Sequence, residues 1–476
     1  MKKQTPFIIW FAWVLAILGF LAVLVVSKGF LLLLCILLIA GILLLSFYLE
    51  YGLYILVFLA PMMHWTFRLE SFRFFLQDYF PQFLGFFAPM VDVWAVALLI
   101  AFGVNCVYRW LNGERQTIYL PGLFVYALFL FSAFLSISNV YPWEVVSSLK
   151  YIIRFPLFVY IGYLVLGTNL INQKYILKNA LLFFLGSALL GALMGFVSLI
   201  LGVYTQGGLH RAVPFAIGSW MPFGDQHIFL AEVITVALPI VMYFWYSEKD
   251  ISKKFLYACI GIFMFLISLA TFSRAGWLTM VMQVCVFGFL MRKSIDWLSI
   301  IRRWIWLLIV SIPFVWYMFI FLGSKIVASS NEARIALADI AWHLFKTHPI
   351  IGQGVGTFVD RVSDIYLFVY EFGTPIDAHS IVSKLTAEQG LFGLFTFSLF
   401  IVWILYRIYH RMRDARHTEQ ARLIAFLSFF LQYYSAKMWV PIMLAIAQGV
   451  LYKQEKEKMS AYIYFEPERN KIKTDV

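Results

Sequence analysis

Residues 177–203 read LKNALLFFLGSALLGALMGFVSLILGV, and after Lys178 none of them carries a charge. A bilayer-crossing helix needs about 20 mostly apolar residues, so this run is long enough for one crossing. Similar apolar runs fall near 6–27, 30–48, 52–65, 88–108, 118–138, 152–167, 227–246, 254–271, 276–291, 304–323, 389–411, 421–435 and 438–452. Backbone buried in lipid must close its own hydrogen bonds, and the alternating short segments of an outer-membrane barrel are absent. The pairs 30–48 with 52–65, and 421–435 with 438–452, each read as two tilted spans or as a re-entrant hairpin. The pattern predicts an all-α polytopic integral membrane protein with about 12–14 transmembrane helices.

Composition agrees. Apolar residues make up 62% of the 476 and charged residues 13%, against about 45–50% and about 25% in soluble domains. Mean hydropathy is +0.84. The formal net charge of +12 does not point to nucleic acid, because the cations cluster in short loops between apolar runs, as the positive-inside rule describes. Cys35, Cys106, Cys259 and Cys285 lie inside apolar runs without CxxC spacing and read as packing residues. Lys2 and Lys3 precede the run from Pro6 to Val26, which is long for a signal-peptide core and reads as an uncleaved first span.

The cationic loops hold Arg109 and Arg115; Lys249, Lys253 and Lys254; Arg292, Lys293, Arg302 and Arg303; and Arg407, Arg411, Arg413, Arg416 and Arg422. With these loops and the lysines of the tail cytoplasmic, both termini are cytoplasmic. Loops 66–87, 139–151, 204–226, 272–275 and 324–388 then face outward. The chain divides into N-terminal spans (1–200), spans with outward arginines (201–323), a long outward loop (324–388), C-terminal spans (389–452) and a cytoplasmic tail (453–476). Arg211, Arg274, Arg334 and His379 share the outward face, against the positive-inside trend.

Loops as long as 324–388 are usually functional. Ser329 and Glu332 have capping-box spacing, and Leu337, Ile340, Ala341, Leu344 and Phe345 share one helical face. We therefore expect a helix along the outer membrane surface, ending before His348-Pro349 because a residue preceding proline resists helical geometry. Gly352, Gly354 and Gly356 follow; spaced glycines serve either as a phosphate cradle or as a tight turn with close backbone approach. Next come His379-Ser380 and, after nine more residues, Gly390-Leu391-Phe392-Gly393. These last glycines allow close approach at the start of the next span.

A histidine, then Asn, Ser or Gln, then nine residues and Gly-x-x-Gly resembles the mark of the bacterial O-antigen ligase and polymerase superfamily. The likeness covers residues 200–452 and includes His210-Arg211, the turn Phe272-Ser273-Arg274-Ala275-Gly276-Trp277, Arg334 and the stretch from His348 to Gly356. It implies a GT-C-like membrane glycosyltransferase of the bacterial cytoplasmic membrane, inverting, metal-independent and without a cofactor. The donor would be a glycan on undecaprenyl diphosphate. The acceptor would be lipid A-core for a ligase, another lipid-linked repeat unit for a polymerase, or a protein hydroxyl. By the same resemblance Arg211 and Arg274 hold the diphosphate, Arg334 is a third candidate for phosphate or glycan, and His379 activates the acceptor. Each has a plainer reading: Arg274 snorkelling to the interface, Arg211 an ordinary loop cation, Arg334 a lipid head-group contact, His379 a loop histidine. Asp225, His227, Glu232, Lys150 and Arg154 are further polar residues near span ends. Glu388 reads as a carboxylate that holds His379, or as one that complements its own helix dipole. A flippase for the same lipids would show two related halves, and no internal repeat is visible.

Overall fold

A computed structural model describes residues 30–68, 87–114, 117–203, 205–206, 209–217, 220–291, 325–378 and 380–414. The apolar runs 6–27, 304–323, 421–435 and 438–452, and His379, lie outside these residues. Helices dominate: α1 (Phe30–Phe47), α2 (Leu49–Leu59), α3 (Met90–Leu111), α4 (Leu123–Ser136), α5 (Val145–Leu170), α6 (Lys174–Leu201), α7 (His227–Ser247), α8 (Ile251–Ala270), α9 (Arg274–Met291), α10 (Lys325–Thr347), α11 (Phe358–Ser363), α12 (Tyr366–Phe372) and α13 (Ile381–Asp414). Among the described residues six helices are long and apolar enough to cross a membrane, or seven if a bent pair counts as one span. That pair is α1 and α2, which meet at 105°; it is the 30–48/52–65 pair left open above. The chain is an all-α polytopic membrane protein.

Two compact units divide the described residues. One draws on the chain up to Pro121 and on Tyr160–Gln283; the other draws on Gly122–Val159 and Val284–His410. In the first, α6, α7 and α8 pack on one another and α2 packs on α6. Between apolar helices in lipid, close packing rather than water exclusion drives association, and small residues bring backbones together. The face of α6 carrying Ala188, Gly191, Ala192 and Gly195 is of that kind: a side chain at Gly191 would press on Phe223, and one at Gly195 on Leu230 and Ile267. Two short antiparallel pairs sit in this unit, Thr66–Arg68 with Phe87–Pro89 and Thr205–Gln206 with Leu209–His210. Cys259 and Cys285 are exposed on their helices rather than packed.

In the second unit α4 packs along α13. Tyr126 meets Phe400 edge-on at 4.8 Å and Phe129 lies 5.3 Å from Phe397, ring centre to ring centre. The Ser132 hydroxyl donates to Gln389 Oε1 at 3.0 Å. The outward loop expected at 139–151 is shorter, because α5 already starts at Val145. Inside α5 the turns widen to π geometry over Ile153–Leu157 and Val159–Val165, around Pro156, which lacks the N–H a regular ladder needs. The Tyr126 hydroxyl donates to the Pro156 carbonyl at 2.7 Å.

Two expectations for the stretch 324–388 change. Ser329 and Glu332 do not cap a helix: α10 begins at Lys325 and carries both in its interior, since residues 325–328 offer nothing that stops a helix. Leu337 and Ala341 are buried and Leu344 half-buried against Phe358, Val362, Phe368, Ala378 and Ala387, so the apolar face of α10 packs on protein. The helix does end at Thr347, before His348-Pro349.

The α6 interface gives a direct test. Gly195→Val should lower thermal stability in detergent by about 1–3 kcal/mol through overpacking. Gly186→Ala, where an added Cβ meets open space, should be neutral or stabilising by up to about 1 kcal/mol.

Candidate functional site

The first cluster lies in the first unit, where α8 gives way to α9. Thr271 closes α8 with helical geometry, and its hydroxyl donates to the Ser268 carbonyl at 2.6 Å. Phe272 then takes φ +55°, the only positive φ outside glycine among the described residues. For a bulky L residue this left-handed geometry costs about 1–3 kcal/mol. Ser273 starts α9: its hydroxyl accepts the Gly276 N–H at 3.3 Å and its carbonyl accepts the Trp277 N–H at 3.0 Å. Arg274 is the first residue of that helix and is half-buried.

Arg211 comes to the same turn from a distant loop. The Ala212 N–H donates to the Ala270 carbonyl at 2.9 Å, and the Val213 N–H donates to the Ser198 hydroxyl at 3.0 Å. These bonds pin the segment between α6 and the end of α8. Arg211 is only 4% exposed, with its guanidinium 5.9 Å from the centre of the Phe272 ring, within cation–π range. Trp277 meets that ring at 66° and 5.9 Å, and its indole N–H donates to the Leu269 carbonyl at 3.2 Å. A buried arginine and a helix-starting arginine thus flank one turn. Fixed positive charge joined to the partial charge of a helix N-terminus suits an anion.

The second cluster lies in the second unit and is built on a break in α13. Gly390 adopts φ 65° and ψ −162° inside the helix. The break frees the carbonyls of Ala387 and Glu388 and the N–H groups of Leu391 and Phe392, which a continuous helix would pair with one another. Residues 349–354 satisfy all four. The Gln353 and Gly354 N–H groups donate to Ala387 and Glu388 at 2.9 and 3.0 Å; Leu391 and Phe392 donate to Pro349 and Ile350 at 2.9 and 3.1 Å.

This decides between the two readings of the glycine run. The Gly352 N–H donates to the His348 carbonyl and the Val355 N–H to the Ser136 hydroxyl. The donors of 352–355 are therefore occupied by protein, and the run is a tight turn rather than a phosphate cradle. Gly352, Gly354 and Gly356 all have positive φ. A Cβ at Gly352 would run into the backbone of Glu388 and Gln389, at Gly354 into Val140, at Gly356 into the Tyr151 ring, and at Gly390 into the Ile350 carbonyl. Gly393 faces the Gln389 side chain.

Charged groups lock the same region. Glu388, 2% exposed, accepts the Phe358 N–H at 3.1 Å. It complements the start of α11, not of its own helix, because α13 begins at Ile381 and Glu388 is well inside it. Lys384, 7% exposed, binds Asp377 Oδ2 at 2.5 Å, and its ammonium lies 5.3 Å from the centre of the Tyr151 ring. Asp377 also accepts the Ala378 N–H at 2.9 Å. Ser380 caps α13, accepting the Ser383 N–H on its hydroxyl at 3.4 Å and the Lys384 N–H on its carbonyl at 2.9 Å. Arg361 grips both oxygens of Glu144, at 2.8 and 3.1 Å, and lies 4.4 Å from the centre of the Tyr141 ring. Burial pushes the neighbouring Asp360 carboxyl above its ordinary value, and Glu144 adds to that push.

Of the residues singled out from sequence, Arg211 lies beside the Phe272 turn of the first unit and Arg274 starts the helix that follows that turn. In the second unit, the glycines gather around the α13 break and Ser380 caps the start of that helix, while Arg334 is exposed on α10. Sequence reasoning passed over Phe272 as more than part of a turn. It also missed the pairs Lys384–Asp377 and Arg361–Glu144. Asp377 and Lys384 obey no local pairing rule, and Arg361 and Glu144 are 217 positions apart.

The docking at Gly390 is testable by Gly352→Ala and Gly390→Ala. Each should lose at least about 1–3 kcal/mol from backbone strain, and more from the clash with a carbonyl or amide. Gly373→Ala has positive φ but open space, so it should lose the strain alone. Thermal unfolding in detergent reads the difference.

Among known proteins, the family described as O-antigen ligase matches residues 259–398. No curated protein matches the chain. The matched stretch takes in the Phe272–Ser273–Arg274 turn, the glycine run and the α13 break.

Proposed function

Residues 259–398 carry the domain of the O-antigen ligase superfamily, and on that premise we propose that this protein transfers a glycan from undecaprenyl diphosphate to an acceptor hydroxyl at the outer face of a bacterial cytoplasmic membrane. Ligase or polymerase type activity follows from the family; donor, acceptor, sidedness and residue roles are our reading. The observation that carries it is the pairing of Arg211 and Arg274 about one turn. Lipid diphosphate is the leaving group, so negative charge grows on its oxygens as the bond to the sugar breaks. Guanidinium groups answer that charge with paired, charge-assisted hydrogen bonds.

In this reading the acceptor oxygen attacks the anomeric carbon from the face opposite the diphosphate. The carbon–oxygen bond to the diphosphate breaks, undecaprenyl diphosphate leaves, and the configuration inverts. His379 takes the acceptor's proton; an imidazole titrates near neutrality and suits that task. The reaction needs no metal or other cofactor. Arg334 is a third candidate for phosphate or glycan. The preferred acceptor is lipid A-core, with another lipid-linked repeat unit as the alternative. Both termini lie in the cytoplasm, and the turn at 272–275 and the stretch 324–388 face outward.

The test uses the full chain in lipid nanodiscs with an undecaprenyl-diphosphate glycan, with and without lipid A-core. Glycan on lipid A-core means ligase; laddering of donor alone means polymerase. His379→Ala should lower turnover about 10²–10⁴-fold, and Arg274→Ala or Arg211→Ala about 10²–10³-fold. Donor that crosses the bilayer without any transfer would sink the transferase reading in favour of a flippase.

A further inference from the structure

A glycine at position 272 would make the turn from α8 into α9 with no steric penalty. Helices very commonly end with glycine in the left-handed region one residue past the cap, and Thr271 is the cap here. This chain places a phenylalanine there, at φ +55°. A strained residue persists where its surroundings hold it, and such residues cluster at functional sites. What phenylalanine adds over glycine is the ring, whose centre lies 5.9 Å from the Arg211 guanidinium and 5.9 Å from the Trp277 ring, which meets it edge-on.

That contact has a chemical consequence. A guanidinium is flat, and its five N–H bonds lie in its plane. An aromatic ring attracts the cation through its own π face, and so restrains the group without spending an in-plane N–H. A ring therefore supports an arginine without cancelling its charge. Because the backbone that lifts the ring also starts α9, one residue sets the position of Arg211 and the entry of Arg274.

We propose that Phe272 is a positioning residue: its ring, raised by a left-handed backbone, holds the Arg211 guanidinium for a lipid diphosphate that Arg274 also meets. The inference rests on the diphosphate reading given above for the two arginines. It adds a residue that touches neither the sugar nor the acceptor.

The experiment uses the full chain in lipid nanodiscs and reads binding apart from transfer. The probe is geranylgeranyl diphosphate, which carries no sugar, compared with geranylgeranyl monophosphate. The variants are Phe272→Gly, Phe272→Leu and Phe272→Tyr. Glycine and leucine should each weaken diphosphate binding tenfold or more and monophosphate binding less. Tyrosine, which keeps the ring, should stay within about twofold of the wild type. The thermal midpoint of Phe272→Gly should stand at or above that of Phe272→Leu, since glycine relieves the left-handed strain. With the lipid-linked glycan as substrate, KM should rise more than kcat falls. Wild-type diphosphate affinity in folded Phe272→Gly and Phe272→Leu would overturn the proposal. So would equal losses of binding and stability in all three variants, because that is the mark of packing alone. Wild-type protein that binds the diphosphate but transfers nothing would sink the transferase reading, while the variants would still decide the role of Phe272. Wild-type protein that ignores the diphosphate would sink both.

Discussion

A helix among apolar surroundings can break only where other polar groups take up the backbone N–H and carbonyl groups it releases. In α13 the break at Gly390 releases two carbonyls and two N–H groups, and the stretch from Pro349 to Gly354 takes up all four. Much of the second unit follows from this exchange. It fixes the loop after α10, and with it the start of α11, whose first N–H reaches the Glu388 carboxylate. It also explains the glycines as one device: two backbones that trade hydrogen bonds at this distance leave no room for a Cβ at Gly352 or Gly390.

Around that exchange the unit is held by charges that would be costly if left single. Buried ions need partners, and removing one partner is more damaging than never having had the pair. Lys384 meets Asp377, Arg361 meets Glu144, and each cation also lies by a tyrosine ring. The Asp377–Ser380 stretch is anchored at both ends, by the ion pair to Lys384 and by the serine cap on α13. The first unit uses the same combination of strain and aromatic support on a smaller scale. There a left-handed phenylalanine carries the turn between two arginines.

The helices were readable because their signal is local: long apolar runs, cations at their ends and a proline after α10 mark elements without any partner. Local signals also misled. The Ser329–Glu332 spacing fits a capping box, yet the residues before it are equally able to be helical, and α10 runs through them. Glu388 fits a helix-start acid, yet α13 starts earlier and the carboxylate serves another helix. Capping patterns state what a terminus needs, not where the terminus is.

By itself the sequence determined that this is a polytopic helical membrane protein, and it marked Arg211, Arg274, Ser380 and the glycines as residues of interest. Periodicity, length and motif spacing suffice for that, because lipid leaves the backbone few alternatives. Only the tertiary structure decided that the glycine run closes a helix break instead of cradling phosphate. It alone brought Arg211 to the turn before Arg274, and paired Arg361 with Glu144 across 217 positions. Those outcomes depend on which distant groups satisfy a given N–H, carbonyl or charge, and the order of residues along a chain does not state that.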